Sequence, residues 1–416
     1  MLKTISEVSL ARDLVKCQSV TPKDDGAINV VAKNLKKLGF KCQIMEFQEK
    51  GTAKIKNLYA KIGKSSPNFC FAGHTDVVPV GDLKSWTVNP FGGVIKNQKL
   101  IGRGVSDMKG SIACFISATS EFLKKNKKLK GSISLLITGD EETVAINGTQ
   151  KVIKKLIQKK EKIDFCIVGE PTNENRLGEM IKIGRRGSLT GHLTILGTQG
   201  HVAYPHTSNN PSTIIVEALD KIKKLKLDRG NKDFEPSNLE VTKITIDNTA
   251  DNVIPAEAKA SFNIRFNNLH TSSSLKKKLN KVFSSITKKS KASYKIKYHV
   301  SGESFLTKPS KTVYMIKNVI KKSTKINPVL STTGGTSDAR FIKKIAPCIE
   351  FGLIAKTIHQ VDEMARVADL KKLKNIYLDI LVNYFKWQPA YSLPILPFTM
   401  TQVLVIQNAL NEFHQL

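Results

Sequence analysis

Residues 71–79, FAGHTDVVP, run apolar toward two residues able to bind a metal, His74 and Asp76. In an extended chain, side chains two positions apart leave the same face, so this imidazole and carboxylate converge at the end of a buried run. A histidine beside an apolar run is more often a hydrogen-bonded core residue than a ligand. The pair therefore gains meaning only from partners elsewhere in the chain.

Residues 69–78 and 132–140 (FCFAGHTDVV and SISLLITGD) are apolar runs of strand length, and 111–126 between them has the period of a helix. Residues 5–17 and 25–38 have the same helical period. This alternation predicts an α/β domain around a largely parallel sheet. From residue 187 the pattern changes to strand (188–197), helix (211–227), two strands (238–246 and 258–266), helix (273–289) and strand (292–300). The order β-α-β-β-α-β is that of a ferredoxin-like α+β unit. Since the α/β pattern resumes after about residue 303, the small unit reads as inserted into the larger one. The expected domains are a catalytic domain over 1–186 and 303–385, the insert over 187–302, and a tail over 386–416 whose second half has an amphipathic helical pattern.

Composition narrows the function. Of 416 residues, 40% are hydrophobic and 24% charged, and no run approaches the ~18 apolar residues of a membrane span. The N-terminal stretch is interrupted by Glu7 and Asp13, unlike a signal or transit peptide, so a cytoplasmic protein without a membrane partner is expected. Six cysteines form no C-x-x-C pair, which fits free thiols in a reducing compartment. The net charge of +31 raises nucleic-acid binding, but the lysines are spread along the whole chain without interleaved aromatics. A solvated lysine coat is the plainer reading. Its field still draws in small anions.

Further acidic and imidazole groups give His74 its partners. GRGVSDMKG (102–110) sets Asp107 in a glycine-flanked segment, LLITGDEE (135–142) ends in Asp140, Glu141 and Glu142, DFCIVGEPT (164–172) carries Glu170, and GLIAKTIHQVDE (352–363) carries His359. Each lies just past an apolar run, and in open α/β sheets ligands bind at the carboxyl ends of strands. Imidazole nitrogens and carboxylate oxygens without thiolate suit zinc or a similar divalent ion in an open catalytic site.

These motifs, with GHTDVVP (73–79), GRRGSLTGHLTILGTQGHVAYPH (184–206), NVIPAEAKASFNIRF (252–266) and GGTSDARF (334–341), resemble those of the dizinc aminoacylase and carboxypeptidase superfamily, in order over about residues 3–385. The resemblance implies a mostly parallel dizinc peptidase-like domain with an inserted lid and dimerisation domain, acting as a homodimer. It implies two Zn2+ per subunit, with Co2+ or Mn2+ as substitutes, bridged by Asp107. His74 and Glu170 would complete one metal site, and Glu142 and His359 the other. Glu141 would be the general acid/base, and Asp76 would accept the second N–H of His74. His201 would reach the partner's active site to stabilise an oxyanion, while Arg185, Tyr204, Asn252, Arg265 and Thr336 would contact substrate.

Within that superfamily the motifs point to hydrolysis of an N-succinyl-LL-2,6-diaminopimelate amide to succinate and LL-2,6-diaminopimelate, in lysine and cell-wall biosynthesis. Deacylation of another N-acyl amino acid such as N-acetylornithine is the enzymatic alternative; a metal-bound scaffold or a lysine-rich nucleic-acid binder would be non-catalytic ones. Two positions depart from the pattern: Ala355 where many relatives have asparagine, and Thr143 where glycine is usual.

Overall fold

The computed structural model describes residues 4–143 and 145–387. The predicted tail falls outside these residues, apart from Lys386 and Trp387, which end the last helix.

Along the chain, α1 (Glu7–Lys16), α2 (Ala27–Lys37), β1 (Lys41–Phe47), β2 (Ile55–Gly63) and β3 (Asn68–His74) precede α3 (Gly110–Lys125), β4 (Ser132–Thr138), α4 (Thr149–Gln158), β5 (Phe165–Val168) and β6 (Met180–Lys182). Then come β7 (Gly187–Leu196), α5 (Pro211–Lys223), β8 (Asn238–Thr245), β9 (Glu257–Phe266), α6 (Ser272–Lys289) and β10 (Ser293–Gly302). The chain continues with α7 (Lys311–Thr324), β11 (Val329–Ser331), β12 (Cys348–Glu350) and α8 (Val367–Trp387). Among the described residues no helix is long and apolar enough to cross a membrane.

The large sheet has the order β1-β2-β4-β3-β5-β12-β6-β11. Its centre is parallel: β3 runs with β4 on one side and β5 on the other, and β5 with β12. The β1 and β2 edge is antiparallel, and β12 meets β6 antiparallel through the single pair Glu350 and Lys182, but the sheet is largely parallel, as the sequence pattern predicts. All seven residues of β3 and of β4 are buried, as expected of strands covered on both faces. Phe71 on β3 stacks on Phe115 of α3 at 4.4 Å between ring centroids, and Tyr377 of α8 meets both rings edge-on. Truncating Phe71 to alanine would cost about 3–5 kcal/mol.

The inserted strands form their own antiparallel sheet, β8-β9-β7-β10, with Leu189, Phe262, Phe266 and Phe283 in a separate core beneath α5 and α6. This is the ferredoxin-like arrangement expected from the element order. The chain enters and leaves it through a short ladder, Arg185 opposite Phe305 and Gly184 opposite Leu306.

Two glycines shape the strand ends. A Cβ on Gly73, just before His74, would lie 2.3 Å from Met108 Cε; one on Gly169, just before Glu170, would lie 2.7 Å from the same atom. Met108, completely buried, thus wedges between the ends of β3 and β5 because both neighbours lack side chains. The residue before it is Asp107.

Candidate metal centre

The parallel centre of the sheet delivers its acidic residues to one edge. His74 is the last residue of β3; Glu141 and Glu142 follow β4, and Glu170 follows β5, while Asp107 lies in the helical turn Val105–Lys109 that leads into α3. His359 comes from the loop between β12 and α8, with its backbone in the left-handed region at φ 61°.

Asp107 faces both histidines. Its Oδ1 lies 3.2 Å from His74 Nε2 and its Oδ2 lies 3.4 Å from His359 Nε2. Glu170 Oε1 is 4.0 Å from His74 Nε2, and Glu142 Oε1 is 3.2 Å from His359 Nε2. Two triads result, His74–Asp107–Glu170 and Asp107–Glu142–His359, and within each one ligand atom per residue lies within 4.8 Å of the others. Asp107 belongs to both.

The electrostatics of these groups are those of a cation site. Burial, reinforced by the charge on Asp107, pushes the Glu170 carboxyl well above its ordinary range. Burial also opposes ionisation of Asp107, but hydrogen bonds from His359 and His74 outweigh it and hold that carboxyl low. Hydrogen bonds to Asp107 and Glu142 raise His359 to about 10. Glu170 Oε1 is buried without any hydrogen-bond partner. A buried, unpartnered carboxylate oxygen is costly unless something positive meets it, and a divalent ion among two imidazoles and three carboxylates would do so while displacing the histidine protons. The donor set fits a borderline-hard metal such as zinc, cobalt or manganese.

Asp76 differs from the expectation. The His74 ring approaches the main-chain carbonyl of Asp76, 3.0 Å from Nδ1, whereas the Asp76 carboxylate is 3.7 Å away. That carboxylate accepts the main-chain N–H groups of Glu141 at 3.2 Å and Glu142 at 3.0 Å. The reason is geometric: β3 ends at His74, so the two side chains no longer share the face of one extended strand. Glu141 is left without a hydrogen bond to the triads, and burial pushes its carboxyl up to about 8.

The predicted substrate contacts separate into groups. Arg265, on β9, donates to Thr336 Oγ1 at 3.2 Å, joining the insert to the loop before Asp338. His201, Tyr204 and Asn252 lie together in the insert, His201 in a two-residue strand opposite Val253: Tyr204 N–H donates to the His201 carbonyl at 2.9 Å, and Val202 N–H to the Asn252 carbonyl at 3.0 Å. All three are exposed, and His201 Nδ1 accepts from the Ala203 N–H rather than meeting the triads. Arg185 contradicts its expected availability to substrate. Its guanidinium is buried and forks onto Glu350, with Nε 3.1 and 3.0 Å from the two carboxylate oxygens, and its Nη1 donates to the Thr333 carbonyl. The partner was missed because Glu350 ends a short apolar strand 165 positions away.

Of the two departures from the motif pattern, Thr143 makes contacts a glycine could not. Its hydroxyl lies 3.3 Å from Asp140 Oδ1 and 3.2 Å from Thr21 Oγ1. At Ala355, the main-chain N–H donates to the Asn173 carbonyl at 2.6 Å.

An α/β domain carrying two carboxylate–imidazole triads joined through one aspartate defines a metallohydrolase class, and the chain belongs to Peptidase family M20/M25/M40, whose pattern matches residues 70–383. It is 62% identical over 384 residues to a succinyl-diaminopimelate desuccinylase of Pelagibacter ubique (strain HTCC1062), covering 92% of this chain and 100% of that protein. In fold it is similar to an M20 family metallo-carboxypeptidase, Sso-CP2 from Sulfolobus solfataricus, at a TM-score of 0.73 and 19% identity over 92% of this chain and 99% of that one. It is also similar to a Bacillus subtilis protein described as a dinuclear metal binding peptidase from the M20 family, at a TM-score of 0.67 and 13% identity over 91% and 98% of the two chains.

Proposed function

We propose that this chain is a two-metal amide hydrolase that cleaves N-succinyl-LL-2,6-diaminopimelate to succinate and LL-2,6-diaminopimelate. The observation that carries the reaction is Asp107, whose two carboxylate oxygens face His74 and His359. The substrate reading is supported by the 62% identity to a desuccinylase matched along its whole length.

In this reading His74, Asp107 and Glu170 hold one zinc ion and Asp107, Glu142 and His359 the other, with cobalt or manganese able to substitute. Bound metal ions supply Lewis acidity toward the amide carbonyl and lower the pKa of the attacking water. Glu141 takes the proton from that water and returns it to the leaving amine, a role open to a carboxylate beside the ligands but outside both triads. Asp76 positions Glu141 and Glu142 through their main-chain N–H groups. Arg265, with Thr336, is suited to a substrate carboxylate because its planar fork is charged and only half-buried. Arg185, committed to Glu350, shapes the wall of the site.

We assign His201, with Tyr204 and Asn252, to the active site of a partner subunit in a homodimer formed through the insert. Their exposure, and the absence of contact between His201 and its own triads, favour that reading. A cytoplasmic location fits a biosynthetic role of this kind.

The test is a side-by-side assay of zinc-loaded protein on N-succinyl-LL-2,6-diaminopimelate and N-acetylornithine. Succinate release at the higher kcat/KM is expected. A preference for N-acetylornithine would sink the substrate, and turnover of neither would sink the reaction.

A further inference from the structure

Arg103 and Glu363 stand 260 positions apart and form a buried ion pair, with Arg103 Nη1 3.0 Å from Glu363 Oε2. Arg103 is 2% exposed and Glu363 completely buried. Neither belongs to a triad, yet Glu363 bonds to the main chain of Asp107 and Arg103 to that of His359.

Glu363 holds the Asp107 segment by its backbone. Its Oε2 also accepts the Gly104 N–H at 3.0 Å, and its Oε1 accepts the N–H groups of Ser106 at 2.9 Å and Asp107 at 3.2 Å. Four donors on one carboxylate fix both of its oxygens and thereby the main chain from which the Asp107 side chain projects. Arg103 holds the other side. Its Nη1 donates to the Gln360 carbonyl at 3.0 Å and its Nη2 to the His359 carbonyl at 3.4 Å and the Pro79 carbonyl at 3.3 Å, while the guanidinium lies over the Trp86 ring at 5.3 Å.

His359 needs such support. Its φ of 61°, and the 55° of Asp362 in the same loop, lie in the left-handed region that side-chain-bearing residues adopt at a cost. A residue stays there only when its surroundings over-determine it. Arg103, by engaging the carbonyls of His359 and Gln360, supplies that constraint on the residue whose ring faces Asp107 and Glu142.

We infer that Arg103 and Glu363 are a positioning pair that sets His359 and Asp107 relative to each other and so governs binding of the second metal ion, the one assigned above to Asp107, Glu142 and His359. The inference rests on the two-metal reading of the site. A pair that served folding alone would alter stability and leave the affinity of folded protein for metal unchanged. A positioning pair alters affinity at one site of two.

The experiment titrates metal-free wild type and Arg103→Lys with zinc against a chromophoric chelator, with folding monitored by circular dichroism. Lysine keeps the charge but cannot reach Glu363 and three carbonyls together. The expected result is two tight ions in wild type and, in folded Arg103→Lys, one ion weakened at least tenfold with the other within threefold. In a His359→Ala background the same substitution should cost the remaining ion nothing, since its target is already gone. If Arg103→Lys does not fold, the double variant Arg103→Met, Glu363→Met, which removes both buried charges together, takes its place; because Glu363 also holds Asp107, a ligand in both triads, both ions are then expected to weaken, the second at least tenfold more than the first. Two ions bound by the folded variant as tightly as by wild type would overturn the positioning role and leave the two-metal reading standing. Fewer than two ions in wild type would overturn both.

Discussion

The carboxylate of Asp76 accepts the main-chain N–H of Glu142 at 3.0 Å. One residue of the loop after β3 thereby fixes the loop after β4, and the adjacent bond to Glu141 at 3.2 Å occupies the other oxygen. Asp76→Asn replaces one acceptor by an NH2 group that would face an N–H donor. The expected loss is about 10–100-fold in kcat or metal affinity, the range for groups that orient ligands from behind. Wild-type values for both in the folded variant would remove Asp76 from the site.

Glu141→Gln keeps the shape of the side chain and removes its ability to accept a proton. Metal content should stay at the wild-type level while kcat falls about 10²–10⁴-fold. Retention of more than about a tenth of wild-type kcat, measured on succinate release, would end the general-base assignment.

His201 can be tested by mixing. His201→Ala and Glu141→Gln homodimers should each be nearly inactive, but a mixed dimer contains one site with both groups intact if His201 serves the partner. Random exchange makes half the dimers mixed, so activity should recover to about a quarter of wild type. No recovery, with exchange verified by differential labelling, would place His201 in service of its own subunit.

Glu350 should matter first for stability. It is completely buried and receives the Arg185 guanidinium and the Ser337 hydroxyl, the latter at 2.5 Å. Glu350→Gln leaves the Arg185 charge buried without its counter-ion, and about 3–5 kcal/mol of unfolding free energy should be lost in urea denaturation. A loss below about 1 kcal/mol, the scale of an exposed pair, would show that solvent reaches Arg185 and reopen its availability to substrate.

Local chemistry made much of the protein legible. The apolar runs of β3, β4 and β5 announce buried strands, and their histidine and carboxylates fall just beyond them because a charged group ends such a run at the sheet edge. Helix period and turn residues likewise mark the insert from Gly187 to Gly302. What stayed hidden depends on contacts that no spacing records. Asp76 turns from His74 to the Glu141 and Glu142 backbone because β3 ends at His74, inside the apolar run that continues to residue 78. Arg185 meets Glu350 only after β12 inserts between β5 and β6. Met108 finds its room through Gly73, on β3, and Gly169, just past the end of β5. Arg103 and Glu363, in the same sequence motifs as Asp107 and His359, become partners only when the loop before α8 folds over the one before α3. Which residues end strands can be read along the chain, since burial and periodicity are local demands on side chains. Which of those residues share a proton, a charge or a backbone amide emerges on folding, because a buried polar group takes whichever partner the packing of distant segments brings within reach.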